Sequence, residues 1–322
     1  MLGQMMHRDL SIIDILKFAS ENHSLSEVVS LQTEGDMHRY NYTDCLSRVC
    51  KLANALVGLG IKKGDRVATL AWNGYRHLEL YYGISGIGAV CHTINPRLSP
   101  EQMLYIIEHA GDRLLFVDTT FVPIIEKLIP KLPKNLVIIV MASSDDSSTL
   151  SDNFLNYEQL ILESSHDIIW PELPENTAAG LCYTSGTTGN PKGALYSHRS
   201  TVLHALTTSL NLGPSLGDGM KVLPVVPLFH VNAWGLPYAA PLTGTSLIFP
   251  GPNLDGASLF DLMDQENVNS AWGVPTVWLG LLEEIRKQER VPSQFQNVVI
   301  GGSAAPKSMI EEFESLGITV CH

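Results

Sequence analysis

The sequence predicts an α/β protein built from two stacked mixed or parallel sheets with flanking helices. Three observations carry that prediction. Short apolar runs alternate with amphipathic stretches along most of the 322 residues. Several runs, such as 136–142 (LVIIVMA), are too continuously rich in Val, Ile and Leu for a sheet wet on one face. One polar tract, 143–152 (SSDDSSTLSD), breaks the pattern near mid-chain and reads as a loop. A chain of 322 residues favours about two domains. The polar tract and the Pro171–Glu175 turn after it place the division at 1–175 and 176–322.

Taken in order, the N-terminal stretch MLGQMMHRDLSIIDILKF carries charges through its apolar part and lacks a small-residue cleavage site, unlike a signal peptide. Residues 44–59 place Leu46, Val49, Cys50, Ala53 and Leu56 on one helical stripe, with Thr43 as the expected cap and Gly60 as the stop. Strands are expected at 66–72 and 89–95. Ser99-Pro100-Glu101-Gln102 is a capping box with proline at the first helical position, opening a helix over 100–110. Further strands are expected at 113–118 and 136–142, and beyond the polar tract at 180–185, 221–228, 246–250, 270–274, 295–301 and 318–321. No internal repeat is visible.

Composition narrows the function classes. With 45% hydrophobic and 17% charged residues the chain can bury a core, which excludes a disordered or coiled-coil protein. The net charge of −12 leaves no basic face for nucleic acid, so any phosphate site must be local. Five scattered cysteines form no CxxC pair and read as thiols in a reducing compartment. No stretch reaches the ~18–20 apolar residues of a membrane span. The expectation is a cytoplasmic protein without a membrane span.

Candidate chemistry concentrates in the second half. Residues 183–193 (YTSGTTGNPKG) follow the apolar run AGLCY and precede a helical stretch starting near His198. Three glycines let backbone approach a ligand closely, four hydroxyls supply donors and metal ligands, and Lys192 adds a cation. Successive N–H groups in such a turn hold anions. The order is not that of a Walker P-loop, because Pro191 precedes the lysine and Gly193 follows it. His230 sits just after the apolar run KVLPVVPLF, at a strand's carboxyl end, where α/β sheets place ligands.

TSGTTGNPKG resembles the signature of the adenylate-forming enzymes. Four further blocks agree with that family in order and spacing: INPRLSPEQ (94–102), PLFHVNAW (227–234), GVPTVW (273–278) and GGSAAP (301–306). The resemblance runs from about residue 30 to the end and is strongest to medium- and long-chain fatty acyl-CoA synthetases. It implies an ATP-dependent ligase that joins a carboxylic (fatty) acid to CoA through an acyl-adenylate, with Mg²⁺ on the phosphates and a possible homodimer. It also implies roles. Thr184 would face the metal and phosphates; Ser185, Gly186, Thr187, Thr188, Gly189 and Lys192 would hold the β- and γ-phosphates. His230 would position the acid carboxylate and stabilise charge, needing no general-base role for an already ionised acid. Val231, Trp234, Gly273 and Val277 would line the acyl pocket. Gly302, Ser303, Ala304 and Ala305 would lie against the adenylate, and His322 could touch adenine.

In the family the last strand runs into a G-x-T-E motif, followed by a ribose-binding aspartate and a C-terminal lid with its lysine. None of these follows His322 here, so the expectation is an incomplete synthetase with impaired turnover. Two alternatives stay open: a non-catalytic nucleotide- or acyl-binding homologue, and an adenylating enzyme with another thiol acceptor.

Overall fold

The computed structural model describes all residues except 2, 6, 145–153, 185–189 and 212–214. Two seven-stranded sheets organise it. The first contains β3 (Arg66–Leu70), β4 (Val90–Thr93), β5 (Asp112–Asp118), β6 (Val137–Met141), β7 (Phe154–Asn156), β8 (Ala178–Thr184) and β9 (Lys192–Ser197), in the order β7-β6-β5-β3-β4-β8-β9. The second contains β1 (Glu27–Leu31), β2 (Met37–Asn41), β10 (Lys221–Pro224), β11 (Ser246–Phe249), β12 (Ser270–Gly273), β13 (Asn297–Ile300) and β14 (Thr319–Cys321), in the order β14-β13-β12-β10-β11-β1-β2. In each sheet six strands are parallel and the last is the antiparallel partner of a hairpin.

The sheets share one topology. Numbering five successive strands a to e, both run e-d-c-a-b and then add a hairpin. The repeat invisible in the sequence is therefore present in the fold. The hairpins are exchanged along the chain: β1–β2, from the first 41 residues, completes the sheet otherwise built from 221–321. The division expected at residue 175 is not the boundary between the sheets, since β8 and β9 close the sheet of the first half.

The sheets stack through a shared helical layer rather than face to face. Helices α1 (Ile12–Asn22), α2 (Tyr42–Gly58), α3 (Tyr75–Gly86) and α8 (Leu236–Thr243) join both inner sheet faces in one core. On the outer side of the first sheet lie α4 (Pro100–Ala110) and α5 (Val122–Leu128). α9 (Gly256–Glu266), α10 (Pro275–Gln288) and α11 (Lys307–Ser315) cover the second. Two remaining helices, α6 (Tyr157–Glu163) and α7 (His198–Asn211), follow β7 and β9.

Local sequence accounts for several helix ends. The capping box at Ser99 forms as expected: its hydroxyl accepts from the Gln102 amide at 3.3 Å, and Gln102 Oε1 accepts from the Ser99 amide at 3.1 Å. α2 begins earlier than expected, because Asn41, not Thr43, caps it by accepting from the Asp44 amide at 2.9 Å. The Thr43 hydroxyl donates instead to the Ser20 carbonyl. Gly60, at φ +81°, follows the helix end as expected.

Candidate active site

The carboxyl ends of both sheets meet around residues 224–234. Asn73, just beyond β3, donates to the carbonyls of Pro224 and Val226. Thr93, ending β4, donates to the Phe229 carbonyl at 3.4 Å and lies 3.1 Å from Cys182 Sγ on β8. The strand that carries Thr184 and the segment that carries His230 are thus tied through one hydroxyl.

Thr184 and Lys192 face each other across the β8–β9 hairpin, and Thr184 Oγ1 donates to the Lys192 carbonyl at 3.4 Å. Both are exposed. The glycine-rich segment therefore joins two antiparallel strands; it does not run straight from strand to helix. The six residues of β9 pair as a strand before α7 starts at His198, a pairing no short-range pattern reveals. Ser185, Gly186, Thr187, Thr188 and Gly189 lie outside the described residues.

His230 is exposed, and its amide donates to the Pro227 carbonyl at 3.0 Å. Partial removal of water from its ring, followed by the charge of Arg97, holds its pKa below the ordinary value. Arg97 was not singled out from sequence, although it stands within the INPRLSPEQ block. Its charge acts on His230 from the loop after β4.

Beyond His230 the backbone turns left-handed at five successive residues: Val231, Asn232, Ala233, Trp234 and Gly235 have φ of 49°, 50°, 46°, 54° and 80°. Four of the five are not glycine, and each such residue costs about 1–2 kcal/mol. A β-branched residue in this region is a strong outlier. Such strain persists only where the surroundings over-determine it. Here Asn232 Oδ1 accepts from Cys182 Sγ and Tyr81 Oη, each at 3.3 Å, and Ala233 is fully buried.

This turn walls a cavity of about 440 Å³ that also touches Tyr196 on β9, Thr201 and His204 on α7, and Tyr238 on α8. Val231 and Trp234, two of the four residues expected to line an acyl pocket, border this cavity. Gly273 and Val277 do not line it. Gly273 has no side chain because the Trp278 indole occupies that space, 2.9 Å from where a Cβ would stand. Val277 packs into the core under α9–α11. His204, on α7, which no motif in the sequence marks, also lines the cavity, against Gly235.

The other expected contacts lie along one sheet edge. Because β14, β13, β12 and β10 are neighbours, His322, Gly301 and Val225, which follow their strands, and Gly273, which ends β12, lie side by side at the carboxyl edge. Trp234 covers Gly301, where a Cβ would stand 2.8 Å from the ring. Gly302 has φ +79° and, with Ser303 and Ala304, is exposed; Ala305 packs partly into the outer core. His322 is exposed. Among the described residues no cluster of three or more His, Cys, Asp or Glu could hold a metal ion.

The profile of the AMP-binding enzyme family matches residues 18–322. The sequence is 48% identical over 324 residues to a medium-chain-fatty-acid–CoA ligase of Ectopseudomonas oleovorans, covering 100% of this chain and 59% of that protein. It is 44% identical to a long-chain-fatty-acid–CoA ligase of Thermus thermophilus, covering 98% of this chain and 57% of that protein. The chain thus spans somewhat less than two thirds of the length of these relatives. In fold it is similar to an anthranilate CoA ligase, AuaEII, in complex with anthranoyl-AMP, with a TM-score of 0.85 at 20% identity over 98% of this chain and 60% of that one. The N-terminal domain of FACL13 from Mycobacterium tuberculosis gives a TM-score of 0.81 at 23% identity, over 97% of this chain and 74% of that one.

Proposed function

The chain belongs to the AMP-binding enzyme family, and from that premise we propose that it forms the acid- and nucleotide-binding part of a fatty acid–CoA ligase. The observation that carries this reading is the apolar-walled cavity beside the His230 turn, next to the β8–β9 hairpin. An acyl chain in the cavity would leave its carboxylate near His230 and Arg97. The hairpin then meets the nucleotide phosphates with Thr184 and Lys192, and the small residues after β13 lie under the adenylate.

In the first step an acid oxygen bonds to the α-phosphorus of ATP and pyrophosphate leaves. In the second a thiol sulfur, in our reading that of CoA, bonds to the acyl carbon as its proton passes to water, and the acyl C–O bond to the phosphate breaks to release AMP. Neither step requires a base on the acid, so the chain's residues act by orientation and by placing positive charge where oxygens gain negative charge. The Thr184 hydroxyl, without an acidic cluster among the described residues, suits Mg²⁺ that arrives on phosphates with its waters. That ion would neutralise phosphate charge. The reading includes a cytoplasmic location, which the five free cysteines support, and a homodimer, which sedimentation tests.

Fatty-acid binding tests the proposal. Octanoate should bind the purified protein, and filling the cavity with Thr201→Phe should weaken it about tenfold, the equivalent of two methylenes at ~0.8 kcal/mol each. ATP affinity should stay unchanged. Equal octanoate affinity in the two proteins would remove the cavity from the site.

A further inference from the structure

We propose that Asn73, which follows β3 of the other sheet and touches none of the expected ligands, is a positioning residue that holds the segment leading to His230 and its left-handed turn. The inference rests on the proposed acid site and adds a residue to it. After Pro224 the chain leaves β10 but stays buried: Val225, Val226, Leu228 and Phe229 are all nearly inaccessible. Buried irregular backbone must find hydrogen-bond partners or lose about 1–3 kcal/mol per group. From its own sheet the segment receives the Trp272 carbonyl, which accepts from both Val225 and Val226 at 2.8 Å. Asn73 supplies the next three bonds. Its Nδ2 donates to the Pro224 carbonyl at 2.7 Å and the Val226 carbonyl at 3.0 Å, while its Oδ1 accepts from the Leu228 amide at 2.7 Å.

That pattern uses both amide hydrogens and the oxygen, and Asn73 is 4% exposed, so water cannot replace it. The asparagine is itself fixed. Its backbone forms an antiparallel bridge with Gly251, where a Cβ would stand 2.4 Å from the Leu31 carbonyl oxygen. The preceding Trp72 amide donates to Asp118 Oδ2 at 2.6 Å. Tyr81 donates to the Leu228 carbonyl, and Thr93 to that of Phe229. Those two side chains hold the segment from the Leu228 carbonyl onward; among the described residues, the Asn73 side chain holds the Pro224 and Val226 carbonyls and the Leu228 amide. A five-residue strained turn needs a fixed entry, and the Asn73 clamp ends two residues before His230.

The test uses Asn73→Asp, which keeps an acceptor for the Leu228 amide but removes both donors, and the milder Asn73→Ser. In histidine-labelled protein, with His230 assigned through His230→Gln, both variants should shift and broaden the His230 imidazole signals. Signals of the remote, exposed His7 and His166 should stay in place. Affinity for 5′-O-(N-octanoylsulfamoyl)adenosine should fall about tenfold in Asn73→Asp, with AMP affinity within about twofold of the parent. Unmoved His230 signals in folded Asn73→Ser would overturn the inference, whatever the melting temperature. A parent protein that ignores the analogue, with His230 signals still moved by Asn73→Ser, would overturn the acid site and leave the clamp standing.

Discussion

Gly301 shows how one missing side chain shapes the site. The Trp234 ring fills the place of its Cβ, and the same ring forms part of the cavity wall. Gly301→Ala should therefore push the indole toward the cavity, altering tryptophan emission and lowering octanoate affinity, with little change in melting temperature. Unaltered emission and affinity would show that the ring yields freely. Asp118 gives a residue-scale prediction of another kind. Burial raises its pKa from 3.8 to about 7, although the Trp72 amide bonds it. Between those values the folded chain holds a proton that the unfolded chain releases, so stability from this group is full below about pH 4 and declines as pH rises through 7. The slope is up to about 1.4 kcal/mol per pH unit. An asparagine side chain at this position would accept the same hydrogen bond without titrating. The gain in stability of Asp118→Asn over the parent, measured by urea unfolding at pH 4, 6 and 8, should be smallest at pH 4 and largest at pH 8. A pH-independent difference would contradict it.

Among elements, α3 is the least legible from sequence and the most constrained in the fold. All twelve of its residues are buried, including Arg76, His77 and Glu79, because it lies between the two sheets. Glu79 accepts from Arg48 Nε at 2.7 Å, Tyr157 Oη at 2.6 Å and Tyr40 Oη at 3.1 Å; Arg76 bonds Glu34 and Glu158. Removing one member strands the others in a dry core, so Glu79→Ala should lower unfolding free energy by about 3–5 kcal/mol. By contrast, Ser99→Ala at the exposed capping box should cost only about 1 kcal/mol. Chemical denaturation of both variants checks the contrast, and near-equal costs would sink it. The difference in legibility has the same origin. A cap is decided by four adjacent residues, so Ser99-Pro100-Glu101-Gln102 announces it; the partners of Glu79 come from residues 31 to 78 positions away. β1, β2, β7 and β9 escaped the sequence reading because they are short or polar and gain their identity only by pairing.

At the scale of the molecule, sequence disclosed the α/β class and the motif blocks of the AMP-binding enzyme family, because both are written in local patterns. It hid the duplicated sheet topology, the exchange of the β1–β2 hairpin and the helical layer between the sheets, which depend on contacts hundreds of residues apart. Those hidden features bring the site together. Parallel α/β sheets offer ligands a crevice where strand order reverses, here between β10 and β12 in the second sheet and between β3 and β5 in the first. Asn73 stands at the second of these and reaches across to the first. The central claim is that acid and nucleotide subsites are contiguous along this joint edge. Calorimetric titration with 5′-O-(N-octanoylsulfamoyl)adenosine, beside separate titrations with octanoate and AMP, tests it most directly. Contiguous subsites predict that the linked compound binds roughly 10²-fold or more tighter than either half. Affinity no better than that of AMP alone would contradict the account.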